Sequence, residues 1–267
     1  MLGNDTDILL WMIPMLAVAG ICAGILAGLL GVGGGIVVVP ALYYIFTYLG
    51  IDPSVKMHLA IGTSLATIVP TSIRSVRAHH ARGGFDLRLF KLWTPGIVIG
   101  VVLGTWLASM ADVAVLTAIF GTVGLAADLY MAFGNAEWKV ADQLPNGLVS
   151  QPIPLFIGTV SAMMGIGGGT LSVPTLNLCG IPIHRSVGTA AGFGLVIAIP
   201  GTLGFIVGGW NAANLPSFSF GYINCLPGNF YLLFKAGDVI TRFIELGSGL
   251  CYRCLVSAGI NFKKKIP

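Results

Sequence analysis

Gly31-Val32-Gly33-Gly34-Gly35, followed at once by Ile36-Val37-Val38-Val39-Pro40, decides how this chain is read. The pattern returns as Gly165-Ile166-Gly167-Gly168-Gly169 followed by Thr170-Leu171-Ser172-Val173-Pro174, 134 residues later (165 − 31) in a chain of 267. Each copy sets four glycines within five positions at the end of a long apolar run. Glycine in a helix interior costs about 1 kcal/mol relative to alanine, so each cluster should break or loosen a helix deep in an apolar environment. A helix broken at matching places in two halves of a hydrophobic chain points to a transport site.

Composition names the solvent. The chain is 55% hydrophobic and 9% charged, with a mean hydropathy of +0.90, against roughly 25% charged residues in soluble domains. An integral membrane protein in contact with the lipid bilayer is expected. The net charge of +4 is too small and too scattered for a nucleic-acid partner. Neither glycine cluster makes a dinucleotide fingerprint, because Ile36 stands where a third glycine is needed, and no lysine follows for a phosphate-binding loop. Cys251-Tyr252-Arg253-Cys254 has metal or redox spacing but no second pair beside it, so neither metal nor cofactor is expected. The spans hold no paired acids, His-Glu-x-x-His motif or serine–histidine set, which argues against an enzyme.

Taken in order, Ile8 to Leu30 is long enough to span and carries Gly20, Gly24 and Gly28, a ridge for close helix approach. It follows Asp5 and Asp7 rather than a basic start, so it reads as a retained span and not a cleaved signal. Ile36 to Leu49 is short for a crossing and suits a half-helix, and Asp52-Pro53-Ser54 is a turn. A segment from about His58 to Val76 contains Pro70 and should be kinked or locally unwound. Leu89–Met110, with the ridge Gly96, Gly100 and Gly104, and Val113–Phe133 are further spans. Polar Gly134 to Gln151 reads as a linker, followed by Pro152–Met164, Thr170–Leu178 and a helix to about Gly208.

A second matched pair supports duplication. His58-Leu59-Ala60-Ile61-Gly62-Thr63 is echoed by His184-Arg185-Ser186-Val187-Gly188-Thr189, 126 residues on (184 − 58). The loop from Arg74 to Lys91 holds Arg74, Arg77, Arg82, Arg88 and Lys91 against Asp86 alone, which places it in the cytoplasm. His79 and His80 read as solvated residues of that loop. Its counterpart, Gly209 to Pro216, carries no charge, so the equivalent loops belong on opposite faces. The fold class expected is an all-α polytopic membrane protein: an inverted repeat of about four to five segments per half with glycine-broken helices, its N-terminus outside the cell inner membrane. The divisions are a first repeat at 1–134, a linker at 135–151, a second repeat at 152–224 and an atypical tail at 225–267. Phe218 to Phe234 is long enough to span, but Arg242, Glu245 and Arg253 interrupt the last apolar stretch.

The site expected is an anion cradle. Bare N–H groups at a half-helix start carry about half a positive charge and bind anions without a committed cation. Gly31, Gly33, Gly34 and Gly35 in one half, and Gly165, Gly167, Gly168 and Gly169 in the other, would supply such starts. The hydroxyls of Thr63, Ser64 and Thr189 would add hydrogen bonds. The competing reading is that the glycines serve only tight helix packing. His58 and His184, at equivalent positions, and Asp128, an acid inside an apolar span, are candidates for proton coupling. For these the alternatives are interfacial hydrogen bonding and a simple reach to water. Lys56 and Arg185 mark interfaces or draw an anion to the pore mouth.

The paired Gly-Val-Gly-Gly-Gly…Val-Pro and Gly-Ile-Gly-Gly-Gly…Val-Pro blocks, each followed by Gly62-Thr63-Ser64 or Gly188-Thr189-Ala190, resemble the TauE/SafE family. Gly221-Tyr222-Ile223-Asn224, after an Asn-Leu-Pro loop, does so too. The resemblance covers roughly residues 8–224 and implies an exporter of sulfite or an organosulfonate, a small anionic substrate moved by a secondary transporter through alternating access. It names neither the substrate nor the oligomeric state. From about Cys225 the resemblance ends, and three of the five cysteines lie beyond. A shifted reading frame or degraded gene end is the corresponding expectation for the tail. The alternatives to a carrier are therefore an anion channel and a non-functional product with an aberrant C-terminus.

Overall fold

Where the sequence offers an apolar run free of glycine clusters, a helix forms. The computed structural model describes residues 35–133, 151–212, 214–216 and 219–224. Gly31, Gly33 and Gly34, the span Ile8–Leu30, the linker, the tail and the side chain of Asp128 lie outside the described residues. The helices are α1 (Gly35–Tyr48), α2 (Lys56–Ala81), α3 (Leu87–Met110), α4 (Val113–Phe133), α5 (Pro152–Met164), α6 (Gly169–Leu178) and α7 (Ile183–Gly208). A small antiparallel hairpin follows, β1 (Ser219–Phe220) with β2 (Ile223–Asn224), in the register Ser219 to Asn224 and Phe220 to Ile223.

Among the described residues, α2, α3 and α7 are long and apolar enough to cross a membrane. Their outward faces fit that solvent. On α3, Val102, Trp106 and Met110 are exposed, while Trp93, Ile97 and Val101 are buried on the opposite face. The described residues are helical apart from this short hairpin, consistent with an all-α membrane protein.

Two differences from the sequence reading concern α2 and the hairpin. The helix α2 passes through Pro70 and continues to Ala81, so Arg74, Arg77, His79 and His80 stand on helix rather than in a loop. Proline removes one N–H, but Thr67 and Thr71 close hydrogen bonds to the carbonyls of Ser64 and Ile68 around it, at 2.7 and 3.0 Å. The stretch opening at Phe218, read as a possible span, contains the β1–β2 hairpin instead.

Three contacts position the core. The ridge on α3 meets α5: a Cβ built at Gly96 would lie 2.6 Å from Gln151 Oε1, and one at Gly104 would lie 2.9 Å from Thr159 Cα. Backbones approach this closely only where side chains are missing. Helices α2 and α7 run antiparallel, with Gly62 beside Phe205, Leu65 beside Gly201, Ser72 beside Gly194 and His79 beside Gly188. Aromatic rings lock α3 to α7, since Trp93 and Phe90 both stack on Phe193 at 5.6 and 5.8 Å.

Candidate functional site

The second glycine cluster is a helix break. Helix α5 stops at Met164, and Gly165 adopts the left-handed conformation at φ 67°. Its N–H bonds to the Ala162 carbonyl at 3.3 Å, and the next N–H, of Ile166, reaches back to Ser161 at 3.1 Å. This ending needs a residue without a Cβ. The chain then crosses Ile166 and Gly167 and restarts at Gly168, the N-cap of α6. The first N–H groups of α6 have no partner within the helix.

Gly35, the one residue of the first cluster among those described, packs against this break. A Cβ on Gly35 would lie 2.8 Å from both the Gly165 carbonyl oxygen and Ile166 Cα, and 3.4 Å from Gly167 N. The two copies, far apart in sequence, therefore touch backbone to backbone. Ser64 lies at the same place, its buried hydroxyl donating to the Gly165 carbonyl at 2.8 Å. Gly168 abuts Phe193 and Gly194 of α7, while Gly167 faces the Ile68 side chain at an ordinary 3.5 Å. Gly35, Ser64, Gly165, Gly167, Gly168 and Gly169 thus form one constellation.

Thr63 and Thr189 belong elsewhere. The Thr189 hydroxyl accepts from the Asp86 N–H at 3.1 Å, and Thr63 accepts from the Asn224 N–H at 3.0 Å. The neighbouring glycines repeat the correspondence: Gly188 packs on the Gly84 carbonyl and Gly62 on the Tyr222 carbonyl. Behind these contacts lies a third matched pair, Gly83-Gly84-Phe85-Asp86 and Gly221-Tyr222-Ile223-Asn224, 138 residues apart (221 − 83). Both leading glycines have positive φ, 70° and 57°. Sequence reading missed this pair because only a glycine is shared. A search for a glycine followed three residues later by Asp or Asn would have found it.

The histidines also separate. His58 is buried, its Nε2 3.0 Å from the Ala108 carbonyl oxygen and its ring stacked on Tyr222 at 4.8 Å. His184 is exposed at the opposite end of the antiparallel pair. Beside it Arg185 bridges to Asp86 at 2.6 Å. Ser161 and Ser172, flanking the break in sequence, carry buried hydroxyls without a hydrogen-bond partner among the described residues. Neither was singled out from sequence, because an isolated serine in an apolar run carries no local signal. No group of three or more metal-ligating side chains occurs among the described residues.

Comparison with known proteins places this geometry. The family model described as sulfite exporter TauE/SafE matches residues 16–232. A protein of Haemophilus influenzae named "Probable membrane transporter protein" is 34% identical over 240 residues, 89% of this chain and 88% of that protein. One of Methanocaldococcus jannaschii with the same description is 30% identical over 204 residues, covering 74% of this chain and 73% of its own. One of Bacillus subtilis is 26% identical over 183 residues, covering 61% and 67%. No solved structure matches the chain significantly.

Proposed function

The chain belongs to the sulfite exporter TauE/SafE family, and from that premise we propose that it is a secondary transporter exporting a small anion, sulfite or an organosulfonate, by alternating access. The observation that carries the reading is the contact of Gly35 with Gly165–Gly167. It brings two glycine clusters together where one helix has stopped and another begins. The partial positive charge at the start of α6 supplies attraction for an anion. Glycines let the ligand approach the backbone, and Ser64, Ser161 and Ser172 bring hydroxyl groups to the same stretch. Gly31, Gly33 and Gly34 belong to this site by their place in the first cluster.

The reading includes an inverted repeat. Its support is the antiparallel course of α2 and α7 and the reciprocal contacts of Thr63 and Thr189 with residues of the other half. By the positive-inside rule the end carrying Arg74, Arg77, Arg82, Arg88 and Lys91 faces the cytoplasm. The end carrying Lys56 and Asp112 then faces outward across the cell inner membrane. The protein would act on its anion without catalysis.

A flux assay in proteoliposomes tests this. Saturable sulfite flux with counterflow is the expected result, and Gly167→Leu should abolish it while the protein still inserts. Large unitary currents would identify a channel, and unchanged flux in Gly167→Leu would remove the site.

A further inference from the structure

A cleft of about 460 Å³ opens at the end of α2 remote from the arginines. Its walls include Tyr43 of α1, Ser54 of the following turn, Lys56 and His58 of the first turn of α2, and Asp112 between α3 and α4. None of the residues that line it belongs to the glycine clusters. Lys56 makes no ion pair with any described residue; its ammonium lies 3.3 Å from the Thr47 hydroxyl and 4.8 Å from the Tyr43 ring centroid. The nearby acid Asp52 is already engaged. It accepts from the Ser54 N–H and hydroxyl at 2.8 and 2.6 Å and from Asn214 at 3.0 Å, and these bonds, the Ser54 hydroxyl foremost, hold its carboxyl below the usual range. The Lys56 charge is left for a ligand.

His58 provides the second observation. A carbonyl oxygen only accepts, so the 3.0 Å contact with Ala108 places the hydrogen of the neutral ring on Nε2. Nδ1 is then a bare acceptor, buried and without a hydrogen-bond partner among the described residues. A buried polar atom left unpaired is costly, so its retention asks for a use.

We propose that this cleft is a second anion site at the outer mouth, where Lys56 holds a small oxyanion bearing an acidic proton and His58 Nδ1 takes that proton. The class is that of hydrogen sulfite, and the choice of substrate rests on the transport reading above. In the step, the proton leaves the anion and bonds to Nδ1, giving an imidazolium whose Nε2–H stays on Ala108. The anion gains one negative charge and stays with Lys56. When the anion moves on from the cleft, Nδ1 returns the proton to water, and no other bond changes. Burial and the Lys56 ammonium oppose charging of the ring, and the Asp112 carboxylate favours it.

Binding and flux separate this proposal from the transport reading. With the full chain in lipid nanodiscs, the rate of Lys56 labelling by a small amine-reactive reagent is read by mass spectrometry in sodium sulfite or chloride of equal ionic strength. Sulfite at four times its Kd should slow Lys56 about fivefold and leave exposed Lys91, at the other end, unaffected. Slowing of neither or of both overturns the cleft. In proteoliposomes with a lumenal pH dye, His58→Gln should lower the number of protons moved per sulfite transported; an unchanged ratio overturns the role of His58. Should His58→Gln not fold, Lys56→Gln at a half-exposed position must still raise the half-saturating sulfite concentration at the outer face, by about tenfold for the 1.4 kcal/mol of one ionic contact. Lys56 protection without any wild-type flux would sink the transport reading and leave the cleft standing. Flux without protection would do the reverse.

Discussion

The Thr189 hydroxyl accepts a hydrogen bond from the Asp86 N–H at 3.1 Å, and Thr63, in the matching sequence position, accepts one from the Asn224 N–H at 3.0 Å. Each threonine thus satisfies a backbone donor from the other half of the chain. A buried N–H must find an acceptor somewhere, and here a helical side chain supplies it at the joint where a turn meets the α2–α7 pair. Gly62 and Gly188, one residue before the threonines, let the backbones come close enough for this bond.

Thr63→Val and Thr189→Val should therefore each destabilise the protein by about 1–3 kcal/mol, the cost of orphaning a buried donor while keeping the shape. Thr→Ser at either site keeps the acceptor and should lose less. Unfolding of the detergent-solubilised chain, monitored by denaturant or heat, would show this. The larger loss is expected at Thr63, whose bond is fully buried, and the smaller at Thr189, whose donor is half-buried.

The α3–α5 contact makes a second prediction. Gly104→Val places a Cβ 2.9 Å from Thr159 Cα, a backbone atom that cannot rotate away. A loss of about 1–3 kcal/mol is expected from overpacking. Gly121 on α4 is the control, with nothing within 4 Å of its would-be Cβ. Gly121→Ala should be neutral or gain up to about 1 kcal/mol from helix propensity. Equal effects at the two positions would show that the ridge is not a close contact.

What was legible in sequence was local. The break between α5 and α6 falls where the glycines stand, because their effect on a helix needs no distant partner. The bounds of α4 and α5 are set by apolar runs and by Pro152, and both were read correctly. The full length of α2 was not, since the charged stretch from Arg74 was read as a loop although the helix continues to Ala81. The bond from the Asn224 N–H to Thr63 was not legible, because the two residues lie 161 positions apart. The β1–β2 hairpin was hidden by the apolar character of Phe218–Phe234, which hydropathy cannot distinguish from a span.

Asp86 and Arg185 illustrate how unequal the ends of one ion pair are. The Arg185 side chain is 56% exposed, so its 2.6 Å bond to Asp86 should contribute at most about 1 kcal/mol after screening. Asp86 also caps α3, accepting from Arg88 and Leu89 N–H at 3.0 and 3.1 Å. Loss of a cap alone costs about 0.5–2 kcal/mol. Asp86→Ala should destabilise more than Arg185→Ala, and raising salt should remove most of the arginine effect but only the ion-pair part of the aspartate effect. A larger effect for Arg185→Ala would mean that the arginine has a role beyond the pair.

The glycine crossing can be divided into packing and binding by two alanines. Gly35→Ala sets a Cβ 2.8 Å from two backbone atoms of the opposite cluster, so α1 must move away from the α5–α6 break. Stability should fall by about 1–3 kcal/mol, and flux with it. At Gly167 the nearest atom is a flexible Ile68 methyl at 3.5 Å, so Gly167→Ala fits without displacing anything. If the anion lies against the Gly167 backbone, that methyl intrudes on the ligand alone. The half-saturating sulfite concentration should then rise roughly tenfold, about 1.4 kcal/mol, at unchanged thermal stability. Wild-type kinetics in Gly167→Ala beside an inactive Gly35→Ala would assign the clusters to packing and move the search for the anion to the outer cleft.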